Sequence, residues 1–375
     1  VNVRTARSWL HKLGCEYCDA KSGLYFDGHD REDVLKYRVE IYLPAYFKHR
    51  DYADIWIGAT RAEAVKRLYP DGRKAIFCDQ DECIYRAKDG ERKSWVPPNV
   101  HGLKKKGDGA GIMISGTIVD NVGFIEGDQD DISKAKALRR ERCDLSAHQN
   151  AAGYTTNRPE EYRDIDMLFK DVDGKFWTYF KFEYGKNKEG YWTGERMVHH
   201  MADVLDLLAV KLQSYKPIYA SDHVGKVKGL KQILFERGLL VSGMTKLRTK
   251  GNPALSMVAV LSAQLDFANV EPSLVILVRR CGGVALMLPK LHCELNPIER
   301  VWGRYKYWIR KHCKYTIQCL RQNVSQSFKV ADDRLSLAIV QTFCRKVANY
   351  HEVYRQKLTG PEAVAKRQTF KSHRR

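Results

Sequence analysis

The chain has 375 residues, and its 64 Lys and Arg outnumber 45 Asp and Glu for a formal net charge of +19. A surplus that large points to a polyanionic partner; nucleic acid is the simplest, although acidic membranes and acidic proteins also meet basic surfaces. The longest apolar run is far short of a membrane span, no signal-peptide pattern opens the sequence, and ten scattered cysteines read as reduced thiols, so an intracellular protein with no membrane partner is expected.

In chain order, Thr5 to Gly14 opens on a capping threonine and closes on glycine, which predicts a short helix. Arg4, Arg7 and Lys12 on it would face phosphates while Trp9, Leu10 and Leu13 pack inward; an amphipathic helix of any other use fits the same pattern. Cys15 and Cys18 form a Cys-x-x-Cys pair, but no second pair completes a zinc site. Asp27 to Arg38 leads into a second helix ending near Phe47. The organisation expected is a helical segment over 1–50, a connector over 51–73, a catalytic-type domain over 74–315 and a basic helical extension over 316–375.

Ala75 to Cys78 is a short apolar run of strand formers, and Asp79 to Ala87 reads as a turn continuing into a second strand. Lys104, Lys105 and Lys106 form a basic loop before a third strand that ends at Val119. Its glycines precede a strand, where a phosphate loop must precede a helix, so nucleotide binding is not expected there. Charge dominates from Asp128 to Asp173, with Lys134 to Arg142 predicted as a solvated helix. Phe176 to Phe182 reads as one strand, and Thr193 caps a long helix running to about Gln213. Pro217 to Ala220 is a buried-type strand with Asp222 at its end. Two helices near 255–266 and 271–281 precede a strand from Val284 to Leu288. This order fits an α/β fold, a central mixed sheet flanked by helices.

Asn296 followed by Pro297 predicts an N-cap with proline at the first helical position, which places Glu299 in the first turn, at the positive end of the helix dipole. By itself this is an ordinary helix opening. The cluster of Asp79, Asp81 and Glu82 fits a polar turn as well as it fits a metal site. Past Glu299, the helix carries Arg304, Lys306, Arg310 and Lys311, which would meet phosphates, while Trp302 and Tyr305 would pack or stack.

Asn296-Pro297-Ile298-Glu299 with Trp302 and the basic helix behind it resembles the third catalytic motif of the mariner superfamily of cut-and-paste transposases. The longer string from Leu288 to Glu299 resembles especially the divergent DDE endonucleases abundant in fungal genomes. Asp81-Glu82-Cys83-Ile84-Tyr85-Arg86-Ala87-Lys88-Asp89, followed by Trp95-Val96, resembles the family's first motif. Ser221-Asp222-His223 keeps the aspartate of the second motif but lacks its downstream histidine, and the stretch before Lys228 is shortened. Gly116 stands where relatives carry an acid.

The resemblance implies an RNase H-like fold in which Asp81, Asp222 and Glu299 are the catalytic acids and hold two Mg²⁺ or Mn²⁺ ions, Glu299 rather than Glu294 being the third. Carboxylates are the hard oxygen ligands such ions take. It implies a nuclear transposase, working as a homo-oligomer on double-stranded transposon ends and target DNA, whose DNA-reading helix-turn-helix region lies mostly upstream. A protein that keeps the fold and binds DNA without chemistry, domesticated or decayed, is the alternative. An RNase H-like nuclease unrelated to transposition would share the metal chemistry but has no use for the amino-terminal helices.

Overall fold

The computed structural model describes residues 30–54, 67–90, 107–151, 175–185, 187–221, 253–264, 271–328 and 337–369, together with isolated positions between and before them. In chain order these form α1 (Glu32–Lys36), a π-helical turn (Tyr37–Tyr42), α2 (Leu43–Arg50), β1 (Lys74–Arg86), β2 (Gly111–Val119), β3 (Glu126–Gly127) and α3 (Gln129–Ala151). There follow β4 (Phe176–Trp177), β5 (Tyr179–Tyr184), α4 (Gly194–Lys211), β6 (Tyr215–Ser221), α5 (Met257–Ser262), α6 (Ser273–Arg280), β7 (Val284–Met287), α7 (Pro297–Lys311), α8 (Ile317–Ser327), α9 (Leu337–Arg355) and α10 (Gly360–Thr369).

The five-stranded sheet runs in the order β5, β2, β1, β6, β7. β1, β2 and β5 pair antiparallel, while β6 and β7 join parallel to β1 and to each other through helical crossovers. Three antiparallel strands followed by two parallel ones, with helices on both faces, is the mixed α/β, RNase H-like class expected from the sequence.

The strand and turn expected between Ala75 and Ala87 are instead one strand of 13 residues. Asp79, Gln80 and Asp81 stay extended because β1 is central: Cys78 to Arg86 pair with β2, and Lys74 to Asp79 pair with β6. Backbone bonds on both sides outweigh the low strand propensity of Asp. Alternation then sends Phe77, Asp79, Asp81, Cys83 and Tyr85 to one face and Ile76, Cys78, Gln80 and Glu82 to the other. The strand expected from Phe176 to Phe182 divides at Thr178, whose hydroxyl donates to the Thr117 carbonyl at 2.8 Å and accepts from the Ile125 amide at 3.0 Å.

On the Ile76 face, α4 and α6 pack Met197, Met201, Val204, Leu205, Leu208 and Leu274 against Cys78 and Tyr219. Thr193 caps α4 as expected, its hydroxyl accepting from the Arg196 amide at 3.2 Å. The helix predicted as solvated from Lys134 to Arg142 belongs to the longer α3, and Arg139 on it is buried, ion-paired to Asp203 and Asp206 of α4.

The Phe77 face is closed by helices from both ends of the chain. Tyr42, Leu43 and Tyr46 meet Tyr350, Val353, Tyr354 and Ala363 over Phe77 and Leu286. Further along, Ile298, Val301, Trp302, Tyr305 and Ile309 of α7, with Leu320 and Val324 of α8, cover Cys83, Tyr85 and Ile114. Of the first predicted helix, Thr5, Ser8, Trp9 and Lys12 are helical. Trp9 is 53% exposed where inward packing was expected; Leu10 and Leu13, like Cys15 and Cys18, lie outside the described residues. Among the described residues no helix is long and apolar enough to cross a membrane.

Candidate functional site

The start of α7 is built as its sequence predicts. Asn296 is extended, its side-chain carbonyl accepts from the Ile298 amide at 3.2 Å, Pro297 occupies the first turn, and Glu299 follows in that turn, half-buried. The helix is seated by Ile298, Val301, Trp302, Tyr305 and Ile309, whose spacing of three and four lays one apolar stripe on the sheet.

Two hydrogen bonds fix that helix start against the middle of β1. The Asn296 side-chain amide donates to the Gln80 carbonyl at 3.0 Å, and the Trp302 indole N–H donates to Asp81 Oδ2 at 3.1 Å. Residues three apart share a helix face, so Glu299 lies one turn from the side chain that holds Asp81. Asp81 itself is buried. The Asp81 and Glu299 of the motifs are thus carried by elements in direct contact, whereas Asp222 lies outside the described residues.

Gly116 is the residue opposite Asp81 in the β1–β2 ladder. A Cβ there would stand 3.0 Å from Phe124 Cε1 and 3.0 Å from Trp302 Cη2, so the missing side chain makes room for the indole that reaches Asp81. Gly116→Ala is expected to push on that ring and to destabilise the fold by about 1–3 kcal/mol, the usual cost of overpacking. Denaturant unfolding of the two proteins measures it, and an unchanged midpoint would contradict the account.

The same sheet face is strongly acidic. Burial, then the nearby Asp120 carboxylate, pushes the Asp79 carboxyl well above its usual range, while Asp120 also pairs with Arg50 at 3.7 Å. Glu294 is held differently. Burial alone would raise it, but bonds from His292 Nδ1 and the Tyr354 hydroxyl, both 2.7 Å, outweigh burial and keep its carboxyl below the ordinary value. Arg38 closes this buried group, 3.2 Å from His292 Nε2 and stacked 4.2 Å over the Tyr354 ring. Glu294 Oε1 is therefore engaged in the buried contacts of this end of the core.

The residue types suit a hard divalent cation, since Asp81 and Glu299 carry the carboxylate oxygens such an ion takes. Among the described residues no three His, Cys, Asp or Glu stand together closely enough to hold a metal ion.

The basic residues divide. On α7, Arg304 and Lys311 are exposed, Lys306 is half-buried, and Arg310 is ion-paired to Asp89 with contacts of 2.8 to 3.0 Å. Trp302 and Tyr305 are buried and pack. Lys12 is exposed on its helix, while Arg4, Arg7, Lys104, Lys105 and Lys106 lie outside the described residues. Sequence reading passed over Tyr307, which is 70% exposed between Arg304 and Lys311 on the solvent face of α7; its departure from the apolar stripe was the available signal.

No protein-family model and no curated protein matches the chain. Among solved structures it is similar to a Mos1 transposase paired-end complex with left transposon end, at 10% identity and TM-score 0.44 over 95% of this chain and 70% of that one. It is also similar to the Mos1 mariner paired end complex with Mn, at 10% identity and TM-score 0.43, over 95% and 71% of the two chains. At such scores neither likeness bears on residue roles.

Proposed function

We propose that this chain is a DNA transposase, a metal-dependent endonuclease and strand-transferase acting on transposon ends, with Asp81, Asp222 and Glu299 as its catalytic acids and metal ligands. The observation that carries the reading is the docking of α7 on β1, by the Asn296 bond of 3.0 Å and the Trp302 bond of 3.1 Å, which joins the elements bearing the two best-matched motif acids. When bound, two Mg²⁺ or Mn²⁺ ions would supply the Lewis acidity that makes water or a 3′-hydroxyl nucleophilic and stabilises the departing oxygen.

The chain's own residues supply the rest. Trp302 fixes the Asp81 carboxylate, Asn296 fixes the α7 start, and the first turn of α7 carries Glu299 at the positive end of the helix. Arg304 and Lys311 hold backbone phosphates beside the acids, with Tyr307 offering a ring face to an unpaired base. In cutting, a water oxygen bonds to phosphorus, the bond from phosphorus to the 3′ oxygen breaks, and one proton is released; the freed 3′-hydroxyl then displaces another 3′ oxygen in target DNA. Residues 74–315 form the endonuclease in this reading, and the chain works in the nucleus as a homo-oligomer on DNA.

A DNA-binding protein that keeps the fold without chemistry is the second reading, favoured by the missing histidine and shortened stretch after Asp222. Incubating the full chain with DNA carrying the flanking terminal repeats separates the two. Nicking at the repeat ends with Mg²⁺ or Mn²⁺, stopped by EDTA, is the expected result; retention of the DNA with no nicking under either metal supports the second reading instead.

A further inference from the structure

We infer that Gln80 is a positioning residue of this site: its side chain ties β1, which carries Asp81, to the end of β6, which leads to Asp222, while its backbone carbonyl seats the start of α7, which carries Glu299. The inference rests on the transposase reading of Asp81, Asp222 and Glu299. Gln80 is fully buried in the central strand. Its carbonyl accepts from Asn296 at 3.0 Å, its Oε1 accepts from the Ser221 hydroxyl at 2.8 Å, and its Nε2 donates to Ser115 Oγ at 3.3 Å and Glu82 Oε1 at 3.2 Å. Asp81 is the next residue after Gln80, Asp222 the next after Ser221, and Glu299 lies three after Asn296.

The Ser221 bond stands at a gap in the sheet. Backbone pairing of β1 with β6 ends at Asp79 and Ala220, so one residue further the Gln80 side chain carries the register of β6. Two more contacts brace it from the same face: His200 Nδ1 lies 3.1 Å from Ser115 Oγ, and the Trp192 indole donates to Glu82 Oε1 at 3.0 Å. Only an amide can accept from Ser221 and donate to Ser115 and Glu82 at once. Leucine fills the volume without any of the three bonds, and glutamate would add a buried charge beside Asp81.

Gln80→Leu and the milder Ser221→Ala test the role in the full-length chain. Mn²⁺ binding is read by water-proton relaxation, and the Mg²⁺ concentration for half-maximal nicking is read alongside thermal unfolding. Ser221→Ala removes the bond to Gln80 Oε1 and is expected to weaken Mn²⁺ binding and raise the Mg²⁺ requirement by roughly three- to tenfold; Gln80→Leu removes three side-chain bonds and is expected to do so by at least as much. Parent-like metal binding and Mg²⁺ dependence in a folded Ser221→Ala protein would overturn the positioning role, whatever its melting temperature, and would leave the transposase reading standing. A parent that neither binds Mn²⁺ nor cuts DNA removes both.

Discussion

Replacing Glu299 with glutamine is expected to lower metal-dependent nicking of terminal-repeat DNA by at least about a thousandfold, since losing a metal ligand removes several kcal/mol of transition-state stabilisation. Glutamine keeps the size of the side chain, the Asn296 cap and Pro297, so α7 stays seated. The substitution weakens the favourable contact of the carboxylate with the helix dipole, worth about 0.3–1 kcal/mol. A near-normal unfolding midpoint together with lost cleavage is therefore the signature of a ligand. Asp81→Asn is expected to behave alike, with the Trp302 bond surviving because an amide oxygen can still accept from the indole. Equal nicking by parent and Glu299→Gln would remove Glu299 from the chemistry.

Arg139→Met is expected to cost about 3–5 kcal/mol of stability, the penalty of leaving buried charge without its partner. From Met201 to Leu208 every residue of α4 is buried, including Asp203 and Asp206. Arg139 reaches Asp203 through one terminal nitrogen and Asp206 through Nε at 2.6 Å, and Arg142 adds a contact of 2.5 Å to Asp206. Methionine fills much of the arginine's volume but supplies no donor, so the Asp203 carboxylate loses its partner from α3. Denaturant unfolding reads the loss. Replacing Arg139, Asp203 and Asp206 together with apolar residues of similar volume is expected to recover most of it; a single Arg139→Met protein as stable as the parent would contradict the assignment.

What could be read from the sequence was what local chemistry dictates. Asn296 and Pro297 predict the α7 start because a cap needs only the next few residues, and Thr193 predicts the α4 start for the same reason. β1 was misread because Asp79, Gln80 and Asp81 are tolerable in a strand only through partners far away: Val119 to Gly111 along one edge, β6 along the other, and Trp302 above. The solvated reading of Lys134 to Arg142 failed similarly, since the acids that bury Arg139 lie on another helix. Asp203 and Asp206 within an apolar run were the visible hint. Asp81 and Glu299 were singled out as candidate acids by motif resemblance, while Gln80 and Ser221, bonded to each other at 2.8 Å, carried no signal in spacing or composition.

In the proposed reading Asp81 and Glu299 face one divalent-metal site at the docking of α7 on β1. An anomalous-scattering map from crystals of the full chain soaked in Mn²⁺ tests it most directly. A manganese peak is expected within coordination distance of carboxylate oxygens from both Asp81 and Glu299, with no such peak in Glu299→Gln crystals. Manganese bound elsewhere, or at Glu294 in place of Glu299, would contradict it.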